Sequence, residues 1–100
     1  MTEQKKQIKE NIIYVGDKPF MAYMKSVNTL FRGKGLKDIE IKARGKNIKK
    51  AVDVAESSRK KFLHDLDLKT KQVKIGTETF FVEDNKEISV STITIFLSRI

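Results

Sequence analysis

An α/β fold of the two-layer α+β kind, with elements in the order β-α-β-α-β-β, is predicted from three patterns in this 100-residue sequence. Two strand-like runs are each followed by apolar residues at helical spacing. Asp38-Ile39-Glu40-Ile41-Lys42-Ala43 alternates strictly, as a half-buried strand does. Two further strand-like runs close the chain with no helical stretch between them. Strand–helix alternation favours a mixed sheet with right-handed crossovers, which put both helices on one face. The last two strands should form a long C-terminal β-hairpin.

Taken in order, Asn11-Ile12-Ile13-Tyr14-Val15 is rich in β-branched residues and reads as a buried strand ended by Gly16. Lys18-Pro19 opens the first helix, with proline at its first position. Phe20, Met21, Tyr23, Met24, Val27, Leu30 and Phe31 mark its apolar stripe, and Gly33 and Gly35 stop it. Gly45 breaks the second strand, and Ile48, Ala51, Val52, Ala55 and Phe62 mark the second helix. Leu66 and Leu68, then Val73 and Ile75, indicate a third strand whose change of parity implies a bulge or bend. The fourth runs from about Ile88 to Leu97, and its apolar phase changes too. Asp84-Asn85 suits the turn between them. Residues 1–10 read as a flexible polar tail and 11–100 as one domain.

The sequence contains no cysteine, which excludes disulfides, thiolate metal sites and a cysteine nucleophile. No apolar run is long enough to span a membrane, and the first ten residues lack a signal-peptide core. A cytoplasmic protein is expected. Net charge is +8, with a pI near 9.8. Its distribution is uneven. Residues 16–50 carry ten Lys/Arg against three Asp/Glu, whereas residues 51–100 carry eight of each. A binding face for a polyanion explains that asymmetry better than a uniformly solvated surface does.

Lys42-Ala43-Arg44-Gly45-Lys46-Asn47-Ile48-Lys49-Lys50 holds five positive charges and no acid across a strand end, a glycine turn and a helix start. Arginine there can fork two hydrogen bonds onto phosphate oxygens, and the helix start adds free N–H groups. Glycine lets the backbone approach a ligand. Ordinary exposed charge is the competing reading for any lysine run, and the helix-start position argues against it. Lys18, after the first strand, falls on the same sheet edge if the first two strands are parallel. His64-Asp65 invites a general-base reading, but no nucleophile motif accompanies it, and one histidine with scattered carboxylates is a poor metal site. No catalytic residue, metal or cofactor is expected. Phe62 reads as core or as an exposed oligomer contact, and one of Phe80 and Phe81 should face outward.

With these residues in view, the sequence resembles the Alba family of small archaeal chromatin and RNA-binding proteins over residues 11–100. The resembling pieces are Val15-Gly16 with Lys18-Pro19, Lys42-Ala43-Arg44-Gly45-Lys46 before Ala51-Val52-Asp53, Arg59 with Phe62-Leu63, Val73-x-Ile75-Gly76, and Val90-Ser91-Thr92-Ile93. The resemblance implies a homodimer that grips the phosphates of double-stranded DNA, and of RNA, with little base readout. It implies body contacts from Lys18, Arg44, Lys46 and Asn47, hairpins laid along the minor groove, and a dimer–dimer contact at Phe62. Adding the local cluster and the hairpin's single lysine, the expected nucleic-acid-binding set is Lys18, Lys42, Arg44, Gly45, Lys46, Asn47, Lys50 and Lys86. A chromosome-associated location follows, with an RNA-binding subunit of a ribonucleoprotein or RNA-processing complex as the alternative. Two departures stand out. Asp17 replaces a lysine that is an acetylation target in many members. The hairpin segment Thr77–Ser89 holds Glu78, Glu83, Asp84 and Glu87 against Lys86 alone, a poor charge for a minor-groove probe.

Overall fold

The computed structural model describes residues 10–100 and has the predicted element order. The strands are β1 (Ile12–Tyr14), β2 (Asp38–Arg44), β3 (Lys69–Val82) and β4 (Lys86–Ser98). The helices are α1 (Phe20–Asn28) and α2 (Ile48–Ser57). The expected polar tail, residues 1–10, lies outside the described residues except for Glu10.

One four-stranded sheet has the order β1-β2-β4-β3. β1 and β2 run parallel, with Ile13 opposite Ile41, and the other pairs are antiparallel. Strand residues alternate between faces. Ile13, Ile39, Ile41, Ala43, Ile93, Ile95 and Leu97 are therefore buried under the helices. Tyr14, Lys42, Arg44, Thr92 and Thr94 share the opposite, open face. The expected burial of the whole first run is corrected here: Ile13 and Val15 are buried, but Tyr14 is 71% exposed.

Both helices end in a widened turn. Lys34 N–H reaches Thr29 O at 2.8 Å after α1, and Leu63 N–H reaches Ser58 O at 2.9 Å after α2. Gly35, at φ +66°, lets the chain reverse so that Leu36 N–H closes on Leu30 O at 3.0 Å. Pro19 sits one residue before α1, as its cap, rather than at its first position. Val27, Phe31, Ile39, Ile41, Val54 and Leu97 form the fully buried centre. Ala51, Ala55 and Ser58 keep α2 thin on its inner side, and Ser58 Oγ lies 3.7 Å from Met24 Sδ between the helices. Met21, Val52 and Phe62 fall outside the core, with Phe62 54% exposed.

The parity change in the third strand is a bulge between Thr70 and Gln72, whereas Leu66 belongs to a short turn before the strand. β4 pairs without interruption from Lys86 to Ser98, so its change of phase is a change of face. Ile88 and Val90 point to the open side, and Ile93 onward points to the core. At the hairpin tip Asp84 and Asn85 take left-handed φ values of 65° and 58°.

Arg32 Nη2 donates to both Asp65 oxygens at 2.8 and 2.9 Å, joining the end of the first helical segment to the turn before β3. This hydrogen bond holds the Asp65 carboxyl below its usual range. A depressed carboxyl contributes stability above the unfolded pKa and loses it as pH falls through the folded value. The melting-temperature difference between wild type and Asp65→Asn should therefore be constant at neutral pH. It should shrink to nothing as pH drops below the ordinary carboxylate range, as thermal melts at stepped pH would show.

Candidate nucleic-acid interface

Parallel pairing of β1 and β2 puts the turns that follow them on one edge of the sheet. Val15 N–H bonds Lys42 O at 2.8 Å, which fixes the first turn beside the second. The second turn needs Gly45. Its φ is +58°, a left-handed value that costs other residues, and an added Cβ would lie 3.4 Å from Val90 Cγ1 at the hairpin base. The chain then makes one tight turn over Gly45–Asn47 and enters α2 at Ile48. α2 has no acidic residue in its first turn. Lys18, Arg44 and Lys46 are exposed along this edge, with Asn47 half-buried beside them.

Four cations on and beside this edge have distinct neighbours. Arg44 Nη1 donates to Glu78 Oε1 at 2.6 Å across β4, and both side chains are more than half exposed. Lys46 Nζ lies 3.9 Å from Asp17 Oδ1, an exposed and solvent-screened pair. Lys42 Nζ donates to Thr94 Oγ1 at 3.3 Å and lies 3.8 Å from Glu40. Lys49 pairs with Asp53 one turn along α2 at 2.8 Å, and that hydrogen bond raises its pKa.

Lys50 is placed differently. Its ammonium donates to Gly16 O at 2.8 Å and Lys18 O at 3.0 Å, and sits 5.7 Å from the Tyr23 ring centroid. The Tyr23 hydroxyl accepts from Gly16 N–H at 2.8 Å and Lys18 N–H at 3.1 Å. Together these two side chains hold the N–H and the C=O of both Gly16 and Lys18. The geometry suits Lys50 to positioning Lys18. Lys50→Met keeps the stem and removes the donors, and it should unlock this turn. Amide hydrogen exchange at Gly16 and Lys18 should rise while exchange in β2 stays unchanged.

The remaining expected site residues do not join this edge. Lys86 is six residues beyond Thr92, the partner of Arg44, so it stands roughly 20 Å along the arm. Phe62 lies beyond the C-terminal end of α2, about 20 Å from that helix's start. Phe80 and Phe81 face opposite sides of the arm, 40% and 70% exposed. His64 Nδ1 is 3.0 Å from Lys61 O, a local contact at a helix end. Sequence reasoning missed Tyr23, which holds the first turn, and Glu78, which holds Arg44. Nothing in the spacing distinguishes Tyr23 from an ordinary core residue, and Glu78 reaches Arg44 only through the β2-β4-β3 order.

A family model described as Alba matches residues 11–81. This chain belongs to the Alba family. The DNA/RNA-binding protein Alba of Thermoplasma acidophilum is 51% identical to it over 90 residues, covering 90% of this chain and 97% of that protein. The DNA/RNA-binding protein Alba of Methanococcus maripaludis is 43% identical over 90 residues, covering 90% of this chain and 99% of that one. The solved structure of Alba from Thermoplasma volcanium superposes with a TM-score of 0.79 at 48% identity, covering 89% of this chain and all of that one. ALBA1 from Trypanosoma brucei, at 19% identity and a TM-score of 0.70 over 93% of this chain and 72% of that one, shares the Alba fold.

Proposed function

We propose that this Alba-family chain is a dimeric, largely sequence-independent binder of nucleic-acid backbones, acting on double-stranded DNA and on RNA. One observation carries the reading. Lys18, Arg44 and Lys46 converge on a single sheet edge beside the start of α2 although they come from separate parts of the chain. Cations and free helix-start N–H groups suit phosphate oxygens, which fix position without specifying sequence. The DNA/RNA-binding names of the similar archaeal proteins support it. They also support a binding protein in place of an enzyme. A chromosome-associated location in the cytoplasm belongs to the same proposal.

A homodimer suits the uncovered helix-side face of β3, where Val73 and Ile75 are 50% and 82% exposed. Exposed apolar side chains in a row are a candidate subunit contact. Higher assemblies of dimers on nucleic acid would draw on Phe62. The acidic arm favours the ribonucleoprotein-subunit reading as a second one, because it suits a basic protein partner better than a minor groove.

Titration of one DNA duplex and one matched RNA duplex across salt concentrations tests the main reading. On the DNA duplex, log K should fall linearly with log salt by about 0.9 per phosphate neutralised. An affinity indifferent to salt would overturn backbone binding. A strong preference for the RNA duplex would favour the second reading.

A further inference from the structure

The open face of the sheet holds a groove of about 550 Å³ that meets the phosphate-gripping edge at Arg44. Tyr14, Lys42, Arg44, Asn47, Glu78 and Thr94 line it. We infer that this groove is a binding site for one unpaired nucleobase of a single-stranded nucleic acid, stacked on Tyr14 and flanked by the Arg44 and Lys42 cations. The inference rests on the backbone-binding reading above and extends it from duplex to single strand.

Three observations carry it. The first is Tyr14 itself. A large aromatic side chain in a strand otherwise made of isoleucines is 71% exposed, on the face that no described helix covers. Exposed aromatic rings on an open sheet face are platforms on which unstacked bases lie, because every base has a π-face. The second is what stands beside it. Lys42 is the register partner of Tyr14, and Arg44 is two residues further along the same face. A base on the ring would therefore have cations within reach of its own phosphates. The third is the remaining lining. Asn47, Thr94 and Glu78 offer amide, hydroxyl and carboxylate groups that suit a base edge or a ribose hydroxyl. The volume falls in the range of roughly 300–1,000 Å³ that accommodates one small ligand. It suits a single nucleotide and not a duplex, whose bases stay paired inside.

The Glu78 carboxylate holds the Arg44 guanidinium at 2.6 Å on one side of the groove. An incoming phosphate competes for that guanidinium, which leaves Glu78 free to accept from the base or sugar.

The test uses the full chain and three probes: a short single-stranded RNA, the DNA strand of the same sequence, and the blunt DNA duplex containing it. The protein has two tyrosines and no tryptophan, and Tyr23 is buried away from a bound base, so contact quenching of tyrosine emission reports chiefly on Tyr14. Single strands should quench that emission and the duplex should not. Tyr14→Ala should weaken single-strand binding about tenfold, within the range of one base–aromatic stack, and change duplex binding less than twofold. Tyr14→Phe should restore the single-strand affinity, because the ring alone carries the effect. RNA tighter than DNA would place the ribose hydroxyl against the polar lining, and equal affinities would assign the site to the base and phosphate alone. Equal losses on all three probes, or no loss on either single strand, would overturn the inference. Arg44→Ala separates the two readings. If it weakens duplex binding while Tyr14→Ala leaves the single strands untouched, only the groove assignment falls. If it weakens nothing, the backbone reading falls with it.

Discussion

Arg44→Ala is expected to lower affinity for every duplex sequence alike, by about tenfold, the worth of one charge-assisted contact. The slope of log K against log salt should flatten by about 0.9, one phosphate fewer. The companion change, Glu78→Gln, is expected to move affinity the other way. Glu78 holds the guanidinium at 2.6 Å in the free protein, so each phosphate that takes Arg44 first displaces a carboxylate. Exposed pairs of this kind contribute at most about 1 kcal/mol, which bounds the gain at about fivefold. The two variants together form a cycle. In the Arg44→Ala background the Glu78→Gln gain should shrink markedly, because the guanidinium that the carboxylate restrained is gone. Fluorescence anisotropy on one labelled duplex at three salt concentrations measures all four proteins. A sequence-selective loss in Arg44→Ala would replace backbone gripping with direct base readout.

Phe31→Ala is expected to cost about 3–5 kcal/mol of folding stability. Phe31 is wholly buried in the last turn of the first helical segment, among the same core residues as Val27, Ile39 and Leu97. Its carbonyl also accepts from Arg99 Nη1 at 3.0 Å, so that turn ties to the end of the chain. A domain of this size has roughly 5–15 kcal/mol to lose, and truncating this ring would remove a large share. Urea denaturation followed by circular dichroism should show a lower midpoint with an unchanged slope. By contrast, Phe62→Ala removes a ring already 54% exposed and should leave the midpoint nearly unmoved.

Much of the fold was legible because its local patterns agree with its tertiary ones. β2 alternates in sequence, and every second residue is buried in the structure. The placing of Lys18, Arg44 and Lys46 on one sheet edge was legible too, since it depends only on β1 and β2 being parallel with short turns. Tyr14 was not. It sits in an apolar run that reads as buried, and its exposure depends on the helices covering one face of a three-residue strand. Lys50 was read as a nucleic-acid contact and Tyr23 as part of the first helix's apolar stripe. Their joint hold on the Gly16–Lys18 backbone needs α1 and α2 side by side, which no pattern within either helix encodes. The apolar phase of β4 misleads for a related reason. The strand outruns the helices, so its apolar residues change face where the cover ends.

The strand order β1-β2-β4-β3 leaves β3 on the outside of the sheet for 14 residues, with one row of backbone donors and acceptors unpaired by any other described strand. Such a margin is a template on which any extended peptide can add a strand, and the usual outcome is aggregation. The half nearest the body is guarded. Lys69, Lys71 and Lys74 crowd it with like charge, and the bulge between Thr70 and Gln72 breaks its regular spacing. Beyond Gly76 the remaining half carries Phe80, Phe81 and Val82 with carboxylates at the tip, so its protection against strand addition is acidic where the first half's is basic.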